Sequence, residues 1–192
     1  MSDDVQAITS FLANRYYAEA AYFGTLLSLR TADARAHLIA GIGCCGCSAP
    51  LADVQRLLEG VPERAETGTC GLRVSPMTSL PIEGFFHLVQ ARRLDRTIMV
   101  PADLREVADE VADDLAFVSR RELHWPPDRP RRYSHRLACV AAALMLREMT
   151  GNASDLPGVA SPTRDAARGI IATELGQTGG DAFFLEVAQE PS

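Results

Sequence analysis

Residues 137–146 read LACVAAALML, a run of ten without one polar side chain. A helix over them presents apolar groups in every direction, so protein must surround it. Ser134 before the run and Thr150-Gly151-Asn152 after it mark the limits, predicting a helix over about 134–149. The run is too short for a bilayer, which needs roughly 20 apolar residues, and Arg136, Arg147 and Glu148 close its ends. The expectation is a buried central helix with other helices around it, and no membrane.

The chain of 192 residues, 47% apolar and 23% charged, is long enough to build that surround as a single helical domain over 1–192. Its first residues, MSDDVQAITSF, carry acids where a secretion signal carries positive charge, which predicts a cytoplasmic protein. Five cysteines, an odd number, then suit reduced thiols better than a disulfide framework. All nineteen cations are arginine. Without lysine there is no Schiff-base chemistry, no pyridoxal-phosphate lysine and no Walker A loop. The net charge of -6 excludes a general attraction to nucleic acid or anionic membranes, so any such contact must be local.

Helical spacing of Val5, Ile8, Leu12, Tyr16, Phe23, Leu26 and Leu29 predicts one long amphipathic helix over about 4–29. Thr31 can cap a second helix to about residue 42, where Gly41 and Gly43 weaken it, so that the two form a helical hairpin. Pro50, Leu51, Val54 and Leu58 start a short third helix that Gly60 and Pro62 stop. Residues 81–94 carry a stripe of Ile82, Phe85, Phe86, Val89 and Leu94. Pro101 opens a helix to about 123 with Leu104, Val107, Val111, Leu115 and Val118 inside, and Ser161-Pro162 opens another through Leu175. Two short stretches, about 71–75 and 96–100, can pair as a small β hairpin. The fold class is therefore mainly α: a helical bundle around the helix at about 134–149.

Chemistry concentrates in two places. The first is Gly41-Ile42-Gly43-Cys44-Cys45-Gly46-Cys47, where Cys47 stands shortly before the helix start at Pro50. Unpaired amides at a helix start stabilise a thiolate, so Cys47 is the candidate nucleophile, with a base to come from His37, His87, His124 or His135. Alternatively Cys44, Cys45, Cys47 and the distant Cys70 supply four thiolates, with His37 or His87 as a substitute, a set that suits tetrahedral zinc. The plain alternative is small thiols beside glycines that let two helices pack closely, with Cys139 structural inside the central helix.

The second place, residues 120–136, holds six arginines, two histidines and two aromatics in seventeen residues. Arg120, Arg121, Arg129, Arg131 and Arg132, with Trp125 and Tyr133, can fork onto carboxylates or grip phosphates and stack on bases. Three prolines, Pro126, Pro127 and Pro130, stiffen the segment. Its alternative role is internal, pairing with Asp103, Glu106, Asp109, Glu110, Asp113 and Asp114 of the preceding helix. Residues 107–121 resemble helix-turn-helix spacing, but Ala112 stands where the turn glycine belongs and Asp113 follows it, so one continuous helix is expected. The leading expectation is a non-enzymatic helical accessory protein that engages an acidic protein or nucleic acid through the arginine-rich corner. A cysteine-centred enzyme or zinc protein is the rival.

Overall fold

Small residues decide how these helices pack. The computed structural model describes residues 3–47, 80–118, 135–152 and 156–176. They form α1 (Asp3–Ala13), α2 (Tyr17–Arg30), α3 (Ala34–Gly46), α4 (Leu80–Leu94), a 3-10 turn (Ala102–Leu104) running into α5 (Arg105–Val118), α6 (His135–Thr150) and α7 (Ser161–Gly176). No strand occurs among the described residues, and the mainly α bundle expected from the sequence is what forms. No helix among them is long and apolar enough to cross a membrane.

Helix α3 lies between α2 and α4, antiparallel to both, and is buried without interruption from Leu38 to Gly46. Its glycines explain the closeness. A methyl group at Gly43 would lie 2.5 Å from the Ala21 nitrogen of α2, and one at Gly41 would lie 2.9 Å from the Leu88 side chain of α4. Gly84 of α4 answers from the other side, where a methyl would meet the Cys45 sulfur at 2.4 Å. The glycines expected to weaken this helix near residue 42 instead sit inside it, because tertiary contact outweighs a helix-propensity cost of about 1 kcal/mol each. The cap also moves: Asp33 accepts from the Arg35 N–H at 2.8 Å, while Thr31 closes α2 through Leu27.

Helix α6 is the expected buried element, with residues 138–143 fully enclosed. It packs on α4, α5 and α7. Enclosure is not complete, since Leu144 is half-buried while Leu146 and Met149 are sealed. Its end follows the sequence signal closely. Gly151 takes φ 82°, its N–H donates to Glu148, and the Asn152 N–H donates to Arg147, the paired bonds of a Schellman stop.

Two expectations fail. The single helix over 4–29 breaks at residues 14–16. Arg15 adopts φ 61°, with its N–H donating to Leu12 and that of Tyr16 to Phe11, a second Schellman stop built without glycine. A tertiary contact holds Arg15 there: its guanidinium forks onto Glu110 of α5 at 2.9 and 2.7 Å. Nothing in local periodicity reports that partner. Residues 96–100 also form no strand; their one backbone bond into the bundle runs from the Val100 N–H to the Met149 carbonyl, at a helix end that has no ladder to extend. The other half of the expected hairpin, 71–75, lies outside the described residues, as do the helix expected after Pro50 and the closing stretch 182–188.

Candidate functional site

The cysteine stretch ends α3 rather than preceding a helix, and the helix divides its thiols between two faces. Cys45 joins the main core, lying against Gly84 and within electrostatic reach of Cys139 on α6. Cys44 turns to a satellite cluster with Ala21 and Leu80, on which Cys47 packs. Adjacent helical residues point about 100° apart, so the split follows from the helix itself. Burial pushes the Cys44 and Cys45 thiols well above their usual range, and Cys139 up to about 12. Cys47, half-exposed, occupies the C-cap of α3 and donates its N–H to Gly43. That end of a helix carries partial negative charge, the reverse of what stabilises a thiolate. Among the described residues no three His, Cys, Asp or Glu side chains converge as a metal-holding group. Cys70, the fourth thiolate of the expected zinc set, lies outside the described residues.

Polar chemistry inside the bundle lies instead on a line through α2, α3 and α4. His87 of α4, 2% exposed, has its Nδ1 3.0 Å from Nδ1 of His37 on α3 and its Nε2 3.1 Å from the Thr25 hydroxyl on α2. One nitrogen of the facing pair must be protonated and the other not, so a neutral pair satisfies the contact and a doubly charged pair cannot. Burial lowers His37 to about 4 and His87 to about 3, the latter helped by its neighbour. A turn earlier on α4, burial raises Glu83 to about 8, and the carboxyl adds to the upward push on Cys44. Neither Glu83 nor Thr25 stands out in the sequence, because what makes them unusual is burial between helices distant in the chain. His87 does carry a local signal: it interrupts an apolar run from Phe85 to Val89.

The expected arginine site, Arg120, Arg121, Trp125, Arg129, Arg131, Arg132 and Tyr133, lies outside the described residues. The acids that could neutralise it are described. On α5, which runs unbroken through Ala112 and Asp113, Asp109 accepts from Arg147 at 2.9 Å, from the Thr150 hydroxyl at 2.9 Å and from Asn152 at 2.7 Å. Asp113 pairs with the other arm of Arg147, and Glu110 is taken by Arg15. Asp103, Glu106 and Asp114 make no ion pair among the described residues. Arg136, the last residue of the corner, is exposed on the first turn of α6 and likewise makes none there. No protein-family model, curated protein or solved structure matches this chain.

Proposed function

We propose that the protein is a non-enzymatic helical accessory protein whose arginine-rich corner, residues 120–136, engages an acidic partner, either a protein or a nucleic acid. The observation that supports this is the prior commitment of the α5 acids. Arg147 takes Asp109 and Asp113, and Arg15 takes Glu110, so half of the acidic face available for internal pairing is already matched. The five arginines between 120 and 132, with exposed Arg136, outnumber the three acids that remain on that face. With a net charge of -6 the rest of the molecule gives no general attraction to polyanions, so recognition rests on this local excess. Prolines 126, 127 and 130 restrict the backbone and reduce the entropy lost on binding.

Fluorescence anisotropy with a poly-glutamate peptide and with a single-stranded oligonucleotide tests the reading and separates its two partner classes. Binding to one probe should weaken as salt rises, through screening for the peptide and counterion release for the oligonucleotide. Replacing Arg129, Arg131 and Arg132 together by alanine should weaken it further while leaving the melting temperature almost unchanged. A triple variant that binds normally but melts early would instead make these arginines clamps on the bundle.

A further inference from the structure

A groove of about 340 Å³ lies on the opposite side of α3 from the cysteines, where α1, the start of α3 and the connector after α4 meet. Its floor is apolar: Val5 of α1, Leu38 and Ile39 of α3, and Val100 of the connector, all buried in the core. Its rim is charged. Arg35 and Arg105 stand on it, both exposed and neither in an ion pair among the described residues, with Asp103 between the connector and α5. The carboxylate within electrostatic reach of Arg35, Asp95, is turned to its own loop, accepting from the Thr97 N–H at 2.9 Å and hydroxyl at 2.7 Å. Met99, 45% exposed, forms a flexible apolar edge of the kind that adapts to a ligand.

The geometry points to a binding site for a small amphipathic monocarboxylate, its apolar body on the Val5, Leu38, Ile39 and Val100 floor and its carboxylate forked by Arg35 or Arg105. Three features fix that class. The volume is at the lower end of small-molecule sites, which span roughly 300–1,000 Å³, and is too small for a folded segment. Two guanidiniums against one carboxylate leave a single positive charge at the rim, which matches a monoanion better than a dianion. A floor of aliphatic side chains offers no hydrogen bond, so the ligand's polar group must stay at the rim. This site is separate from the arginine corner and does not rest on its role.

The test uses the full chain with octanoate, octanol and octylamine as probes, read by isothermal titration and by chemical shifts of the Met99 methyl. Octanoate should bind saturably at one site, with octanol and octylamine weaker by about tenfold or more. The double variant Arg35→Gln/Arg105→Gln, changed only at exposed positions, should remove the preference for octanoate. Thr9→Trp, which places a ring in the groove from half-buried Thr9 on α1, should abolish binding of all three. The inference is overturned by no octanoate binding, by equal binding of the three probes, by a double variant that keeps the preference, or by a folded Thr9→Trp protein that binds as before.

Discussion

Replacing Gly43 by alanine should destabilise the protein even though alanine is the better helix former. In the interior of an exposed helix the exchange gains about 1 kcal/mol. At Gly43 the new methyl would sit 2.5 Å from the Ala21 nitrogen, 2.9 Å from the Tyr17 carbonyl oxygen and 3.0 Å from the Ala20 carbonyl carbon. All three are main-chain atoms of α2, so no rotamer can move aside; the helices must separate by nearly an ångström, which also opens the Gly24 contact with Ala40. Overpacking a closed core costs roughly 1–3 kcal/mol and occasionally more. With a rigid obstacle the upper part of that range applies, and the net loss should be about 2 kcal/mol. Gly169 is the internal control, because it is exposed on α7 and a methyl there meets nothing within 4 Å. Gly169→Ala should gain about 0.5–1 kcal/mol. Urea unfolding followed by circular dichroism resolves a gap of about 3 kcal/mol between the two variants easily. A Gly43→Ala protein as stable as the wild type would refute the account of α3 as a helix wedged between two others.

Leu146→Ala on α6 should cost about 2–5 kcal/mol, as for any fully enclosed leucine, and half-buried Leu144→Ala clearly less; equal losses in thermal unfolding would mean α6 has no solvent-facing edge. Because burial lowers His87 to about 3, its stabilising contribution is complete above about pH 6.5 and declines as pH falls towards 3. Relative to wild type, His87→Gln should therefore recover roughly 2 kcal/mol between pH 7 and 5, and a difference that stays constant with pH would contradict the buried neutral pair. Glu83 runs the other way: raised to about 8, it favours folding below pH 4.5 and opposes it as pH rises to 8, so Glu83→Gln should gain stability over the wild type between pH 5 and 8. Arg15→Gly should melt at or above Arg15→Ala, since both lose the Glu110 fork but only glycine is relaxed at φ 61°; the reverse order would show that the turn stores no strain.

The apolar run at 137–146 and the Gly151 stop are local facts, and they sufficed to place α6 and to predict its burial. So did the stripe of Leu104, Val107, Val111 and Leu115, four residues whose period alone states which side of α5 faces inward. Periodicity fails where the deciding partner is far away in the chain. The break at Arg15 depends on Glu110, ninety-five residues on, and the survival of α3 through Gly41 and Gly43 depends on the backbone of α2 and the side chain of Leu88. The plain reading of the cysteines, small thiols beside glycines at a close helix contact, agrees with the structure for Cys44 and Cys45; which face each thiol takes required α3 to be seen continuing past them. Charge counting identified the arginine corner and the acidic face of α5 but could not pair them. That assignment belongs to tertiary structure, because an ion pair is a matter of a few ångströms between helices, and here Arg15 and Arg147 reach the acids first. The His37, His87 and Thr25 line is likewise a product of packing: three ordinary polar residues on three helices acquire lowered pKa values and a shared proton only when the bundle removes water from around them.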